Sequence, residues 1–218
     1  MNISVLIMSC DSYSDVWEIF YTLYKKYWNP PYKTYICSET KECEFFTTIK
    51  TQGEWTKRVR EALKQIDTEY VLFMLEDYFI RDYVDQDRIN KILDNFKEDE
   101  AVYDFEDYCN DEIEYKHILG FGKKKDKTIY MNNTQPSIHN RLKLIERLQT
   151  DQDPWQWETT IISSPYKFYI NMGEPIIDTG YYNRNWMGLR KGKWCKEIVP
   201  FFEKENIKVD CEKRGFYE

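Results

Sequence analysis

The residues best suited to chemistry are two successive carboxylates, Glu76 and Asp77, directly behind the apolar run Val71-Leu72-Phe73-Met74-Leu75. Side by side their charges repel, and a divalent cation is a natural reason to keep both there. A cation held this way keeps open positions for diphosphate oxygens and can stabilise a nucleotide leaving group. Oxygen is the ligand this chain can offer. It has only two histidines, His117 and His139, and its six cysteines include no C-x-x-C pair. A histidine-rich zinc site cannot be built, so Mg2+ or Mn2+ is the expected ion, held by Glu76 and Asp77. The plainer reading is a turn capped by Asp77 with Glu76 in water.

The second feature is Asp153-Pro154-Trp155-Gln156-Trp157-Glu158. Tryptophans at i and i+2 are costly to expose and point to one wall of a sugar site, formed by Trp155 and Trp157. Glu158 beside them can accept the proton of an attacking hydroxyl, its pKa raised by the aromatic neighbours. Alternatively Trp155 lies in the core and Glu158 merely occupies the first turn of a helix. His139 is a further acceptor-side candidate, read most simply as a hydrogen-bonded structural histidine. In Gly188-Leu189-Arg190-Lys191-Gly192-Lys193, Arg190 and Lys193 can neutralise a diphosphate without a metal, or form a solvated charged turn.

The apolar pattern supplies elements to hold these groups. Ile3 to Ser9, Lys33 to Ser38 and Glu69 to Leu75 read as buried strands. Between them a helix capped by Ser14 or Asp15 carries Val16, Ile19, Phe20, Leu23, Tyr24 and Tyr27 on one face and ends at Asn29-Pro30-Pro31. A second helix covers Glu54 to Ile66, and Ile89, Ile92, Leu93 and Phe96 mark a third. This alternation predicts a parallel sheet with right-handed crossovers. Ligands of such sheets bind outside the carboxyl ends of the strands, here Ser9-Cys10-Asp11-Ser12, Ser38-Glu39-Thr40 and Glu76-Asp77-Tyr78.

The second half is less regular. It predicts strands over Ala101–Tyr108, Glu112–Ile118 and Tyr166–Ile170, and a Gly/Lys turn or mobile loop over Gly120–Lys127. Short helices are expected over Ile138–Leu148 and Trp155–Ser163, and a last one striped by Cys195, Ile198, Val199 and Phe202, kinked or shortened at Pro200. The length of 218 residues predicts one domain over 1–218, with halves 1–100 and 101–218.

Composition narrows the classes. With 42% hydrophobic and 32% charged residues the chain is neither a membrane protein nor a disordered tail. A net charge of -7 argues against nucleic acid as a partner. No apolar run approaches the ~20 residues of a membrane helix, and the start lacks the cationic head of a signal peptide. A cytoplasmic chain with reduced, mostly core cysteines is expected. Aromatics reach 17%, which suits stacking on nucleobases and sugar rings as well as an aromatic core. Gly120-Phe121-Gly122-Lys123-Lys124 lacks the P-loop spacing, no G-x-S-x-G occurs, and Asn132-Asn133-Thr134 matches a glycosylation acceptor without a secretion signal.

In order and spread, five groups of segments cover nearly the whole chain. They are Val5-Leu6-Ile7-Met8-Ser9-Cys10-Asp11-Ser12-Tyr13, Trp55-Thr56-Lys57-Arg58, Glu69 to Phe79, Gln135-Pro136-Ser137-Ile138, and Asp153 to Glu158 with Gly192-Lys193-Trp194. Together they resemble nucleotide-sugar-dependent glycosyltransferases of the GT-A fold, of the small type found in bacterial surface-polysaccharide gene clusters. The resemblance implies an α/β fold: a GT-A-like, mostly parallel sheet flanked by helices, a nucleotide-sugar half before residue 100 and an acceptor half after it. Glu76-Asp77 stands where the family has its Asp-x-Asp metal motif, and no late histidine follows His139.

On the donor side the resemblance implies Ser9, Asp11, Glu39, Trp55, Arg58, Arg190 and Lys193. Asp11 and Glu39 would lie near the nucleoside. Trp55 would stack on uracil or fill the helix–sheet interface, and Arg58 near a helix N-terminus would meet phosphate. The implied donor is a nucleoside diphosphate sugar, UDP-linked by preference. The implied acceptor is a glycan or lipid-linked saccharide at the inner membrane face, reached by single displacement with inversion. A glycosidase using Glu76 and Glu158, or a non-catalytic carbohydrate-binding module, are the alternatives.

Overall fold

Every position of Ile3–Met8 (β1) is buried, as a strand covered on both faces requires. The computed structural model describes residues 2–106, 113–116, 120–180 and 188–218. After β1 a 3-10 turn over Asp11–Val16 leads into Trp17–Tyr27 (α1), which buries Trp17, Phe20, Leu23, Tyr24 and Tyr27 along one stripe. Lys33–Ser38 (β2), Thr47–Lys50 (β3), Trp55–Lys64 (α2), Tyr70–Leu75 (β4) and Gln86–Asn95 (α3) complete the first half. Asp85 caps α3 by accepting the Arg88 N–H at 3.0 Å.

The second half holds Glu100–Asp104 (β5), Ile113–Lys116 (β6), Phe121–Lys124 (β7), Ser137–Asn140 (β8), Arg141–Arg147 (α4), Pro154–Thr159 (α5) and Lys167–Asn171 (β9). The hairpin Leu189–Arg190 (β10) and Lys193–Trp194 (β11) follows, then a 3-10 turn over Lys196–Ile198, Val199–Lys204 (α6) and Cys211–Arg214 (α7).

Nine strands form one sheet in the order β3-β2-β1-β4-β8-β5-β9-β7-β6. Only β7 and β8 run against the rest, so the sheet is mostly parallel and the expected α/β class is observed. Successive side chains of a strand point to opposite faces, and the core divides accordingly. Val5, Ile7, Leu72 and Met74 pack with α1, α3 and α6, whereas Leu6, Met8 and Phe73 pack with α2, α4 and Trp157 of α5.

Several boundaries differ from the sequence reading. Gly120–Lys127 is a turn only at its end, because residues 121–123 pair with β9 and 122–124 with β6 as an inner strand. Ile138–Leu148 divides: β8 is inserted antiparallel between β4 and β5, and Asn140 then caps α4. α5 stops at Thr159, and Pro200 sits in the first turn of α6, where its missing N–H costs nothing. Gly188–Lys193 is a hairpin whose two turn residues, Lys191 and Gly192, have φ of 50° and 77°, the geometry of a type I′ turn. β3 had no strand signal of its own. His117, Cys109 and the ends of the strands expected at 101–108 and 112–118 lie outside the described residues. Among those described, no helix is long and apolar enough to cross a membrane.

Candidate functional site

Because β1, β2 and β4 are parallel neighbours, their carboxyl ends meet at one edge of the sheet. A cavity of about 180 Å³ opens there, lined by Ser9, Cys10, Tyr13, Trp55, Arg58, Glu76, Asp77 and Pro154. The chain leaves β4 in a turn, with the Tyr78 N–H on the Leu75 carbonyl at 3.4 Å, which leaves Glu76 buried and Asp77 half-buried. Glu76 is 5% exposed, and Asp77 Oδ1 is buried with no hydrogen-bond partner. Burial, with the neighbouring Asp77 charge, pushes the Glu76 carboxyl well above the usual range; Ser9 and Arg58 pull it back. Burial likewise raises Asp77. An unsatisfied buried oxygen beside a second carboxylate suits a small hard cation, which takes one or two carboxylates and fills its other positions from phosphate and water. Among the described residues, no group of three or more histidine, cysteine or acidic side chains is arranged to hold an ion.

Arg58 stands one turn into α2 and is 4% exposed. Its Nη2 donates to the Ser9 carbonyl at 2.7 Å and its Nη1 pairs with Glu39 Oε1 at 2.7 Å. The expected helix-end phosphate ligand is therefore a buried brace between the ends of β1 and β2. Glu39 is equally committed, since its other oxygen accepts the Asp11 N–H. Asp11 also differs from expectation. Its carboxylate accepts the N–H groups of Glu39, Thr40 and Lys41 at 3.0–3.2 Å, together with the Thr40 hydroxyl. The Thr40 hydroxyl above all holds that carboxyl well below the usual range. Asp11 builds the loop after β2 and does not line the cavity. Ser9 accepts the Trp17 indole N–H at 2.7 Å. Trp55 packs edge-on against Phe73 at 6.1 Å, as a helix–sheet interface residue does, and it also lines the cavity.

Arg190 and Lys193 are exposed on the β10–β11 hairpin, Arg190 over the Tyr217 ring at 4.6 Å. The hairpin docks on the segment behind Asp77. Phe79 and Trp194 stack at 6.2 Å, and a Cβ on Gly188 would come within 2.1 Å of the Phe79 ring. One residue here, Arg214, gave no sequence signal. Arg214 donates to the Ser12 carbonyl at 2.7 Å and the Gly192 carbonyl at 3.0 Å, pairs with Asp15, and lies 4.6 Å over the Tyr13 ring. It binds the last turn of the chain to the first loop, and nothing local to Arg214 announces that contact.

On the acceptor side the arrangement departs further. Residues two apart on a helix point to nearly opposite sides. Trp155 is accordingly 67% exposed and Trp157 4% exposed, so they cannot form one wall. Trp157 belongs to the core, under the Arg147 guanidinium at 5.8 Å. His139 is buried in β8. Arg147 Nη2 donates to its Nδ1 at 2.9 Å, which leaves the proton on Nε2, facing Ser137 Oγ at 2.8 Å. Burial, then the Arg147 and Lys124 charges, keep the ring neutral. His139 and Trp157 are thus both packed in the interior, each 4% exposed.

Glu158 is held differently. Asp153 and Gln156 form a capping box that starts α5. Four residues on, Glu158 Oε1 accepts the Thr134 N–H at 2.8 Å and the Thr134 hydroxyl at 2.6 Å. Thr134 lies 3.2 Å from the Tyr78 hydroxyl, which receives the Gln135 amide at 3.2 Å. A directed chain, Gln135 to Tyr78 to Thr134 to Glu158, links Glu158 to the residue after Asp77. Burial raises the Glu158 carboxyl, and the Thr134 bonds and Lys124 temper it. Glu158 does not line the 180 Å³ cavity; Pro154 of the same helix does. A further carboxylate, Glu106, lies just past β5 on the same edge. It is 0% exposed, with Oε1 on the Thr179 hydroxyl at 2.6 Å and Oε2 buried without a partner. Sequence reasoning passed over it because it lies inside an expected strand.

No protein-family model and no curated protein matches the chain. Solved structures do match, among them a cytidylyltransferase of Leptospira borgpetersenii, 8% identical with a TM-score of 0.45 over 72% of this chain and 68% of that one. The bifunctional IspDF of Campylobacter jejuni is 12% identical with a TM-score of 0.46 over 84% of this chain, which spans about half of that one (53%). S. aureus TarS 1–349 in complex with UDP-GlcNAc is 16% identical with a TM-score of 0.43, over 81% of this chain and 60% of that one. An active-site mutant of LgtC is 12% identical with a TM-score of 0.47, over 77% and 71%. All of these TM-scores lie below 0.5.

Proposed function

We propose that this chain transfers a sugar from a nucleoside diphosphate donor, UDP-linked by preference, to a hydroxyl of a glycan acceptor. The observation that carries the reading is the pair Glu76–Asp77 at the exit of β4, Glu76 buried and Asp77 half-buried with its Oδ1 buried and unpartnered, both lining a cavity at the carboxyl edge of a parallel sheet. Glu76 and Asp77 are the residues that would hold Mg2+ or Mn2+, which when bound would offset the charge of the departing diphosphate. Trp55 and Tyr13 offer aromatic surface to the nucleoside, and Arg58 fixes the Ser9 backbone beside them. In this reading Arg190 and Lys193, exposed on the hairpin that packs behind Asp77, would add positive charge for the diphosphate.

Glu158 is the base in this reading. Thr134 fixes Oε1 with two donors, and Oε2 accepts no hydrogen bond among the described residues. As the acceptor oxygen bonds to the anomeric carbon, Oε2 takes its proton, and the bond from that carbon to the diphosphate oxygen breaks with inversion. A thermal-shift series with UDP, GDP, dTDP and CTP, each with Mn2+ or chelator, tests the reading through mass action. A diphosphate that raises the melting temperature more in Mn2+, with the gain lost in Asp77→Asn, is the expected result. No shift with any nucleotide, or a shift with CTP alone, would refute it.

A further inference from the structure

The 3-10 turn over Asp11–Val16 carries Tyr13 into the lining of the cavity, and a turn of this kind is held poorly by its own bonds. It is fixed from outside at both ends. Asp11 ties its start to the N–H groups of residues 39–41. At its other end Asp15 meets Arg214 of α7, 199 residues further on.

Arg214 closes on several partners at once. Its Nε donates to Asp15 Oδ2 at 2.9 Å and its Nη2 to Asp15 Oδ1, a two-bond pairing of guanidinium and carboxylate. Nη2 also donates to the Ser12 carbonyl at 2.7 Å, and Nη1 to the Gly192 carbonyl at 3.0 Å. These bonds use four of the five guanidinium N–H groups, and the side chain is 10% exposed. Its Cζ lies 4.6 Å over the Tyr13 ring. A Cβ on Gly192 would stand 3.7 Å from the Tyr13 hydroxyl, so the β10–β11 turn borders the same ring. Tyr13 is therefore held through the residue before it, through Asp15 after it and by the cation over its face. With its donors committed to protein, Arg214 is placed to hold this loop and not to bind a phosphate.

We propose that Arg214 is a positioning residue of the candidate active site, fixing the Tyr13 ring on which the donor's nucleobase stacks and acting on the donor only through that ring. The nucleobase rests on the nucleotide-donor reading; the clamp on Tyr13 does not. A ring fixed before the ligand arrives loses little freedom on binding, so releasing the clamp costs affinity even with Tyr13 still present.

Titration calorimetry of UDP in Mn2+, well below each melting temperature, tests this on wild type, Tyr13→Ala, Arg214→Met and the double variant. Losing one base–aromatic stack should raise Kd about tenfold in Tyr13→Ala, and loosening it about threefold to tenfold in Arg214→Met. Added to Tyr13→Ala, Arg214→Met should change Kd less than about twofold, because the ring it acts through is gone. Arg214→Lys keeps the charge, which also reaches Asp77, but not the fork, and should lose affinity as Arg214→Met does. Losses that multiply in the double variant overturn the proposal, since Arg214 would then act on the nucleotide directly. Wild-type affinity in Arg214→Lys overturns it as well, by showing that charge alone matters. So does wild-type affinity in an Arg214→Met chain that merely melts earlier. Hydrogen exchange over residues 11–16 without nucleotide reads the clamp by itself and should quicken in both Arg214 variants. Unchanged exchange refutes the clamp whatever UDP does. Quickened exchange in a protein whose wild type binds no UDP refutes the donor reading, and the nucleobase with it, and leaves the clamp standing.

Discussion

Replacing Glu106 by Gln should remove a block of pH-dependent instability whose size follows from its surroundings. The side chain is fully buried, one oxygen is satisfied by Thr179 and the other by nothing, and Asp178 adds repulsion that Arg81 offsets only in part. Burial pushes its carboxyl up to about 7 from an ordinary 4.5. The folded chain then keeps a proton that the unfolded chain gives up. Glu106 costs nothing below the unfolded value, and stability falls as pH rises toward the folded one. At about 1.4 kcal/mol per unit, the full span is on the order of 3 kcal/mol. In Glu106→Gln the amide oxygen keeps the Thr179 bonds and no charge has to be buried. Urea unfolding from pH 4 to 8 should show variant and wild type within about 1 kcal/mol at the acid end. The variant should become more stable by roughly 2–3 kcal/mol at the alkaline end. Subtracting the curves cancels the other carboxylates, including Asp11 and Asp15, whose lowered values act in the opposite sense. A difference that stays flat across the range, or grows toward acid, would refute the argument.

Glu158→Gln should lower transfer by ~10²- to 10⁴-fold in single-turnover assays while leaving nucleotide-induced thermal shifts in place; turnover within a few-fold of wild type would remove it as the base. Trp157→Ala should cost about 3–5 kcal/mol in urea unfolding and Trp155→Ala less than ~0.5, and similar costs would contradict their opposite burial. Arg58→Met should destabilise by roughly 2–4 kcal/mol, because Glu39 loses its partner and the Ser9 carbonyl its donor. Adding Glu39→Gln should recover part of that loss, and a strictly additive double variant would show that the pair is not coupled.

Much of the first half was legible from local pattern alone. A buried strand needs an unbroken apolar run and an amphipathic helix needs a stripe at 3.6-residue spacing, so β1, β2, β4, α1 and α2 could be read within a residue or two. Parallel order followed from the alternation, and with it the meeting of Ser9, Glu39 and Glu76 at one edge. The adjacency of Glu76 and Asp77 is purely a matter of sequence, and that they leave a buried strand was evident from the five apolar residues before them.

What those residues do with their side chains was decided elsewhere. Arg58 carries the same charge whether it faces a phosphate or braces Glu39, and only the docking of α2 across the ends of β1 and β2 chose the brace. Asp11 was spent on the loop after β2, 28 to 30 residues away, for the same reason. Trp155 and Trp157 looked alike until α5 formed and turned one outward. β8 has too few residues to signal a strand by period, and its place between β4 and β5 comes from unpaired backbone on both neighbours. Arg214 reaches Tyr13 across almost the full length of the chain. Local periodicity reports which face of an element is buried. It carries no information about which distant partner will cover that face, because that choice is made by packing and by the need to satisfy buried polar groups once the layers have met.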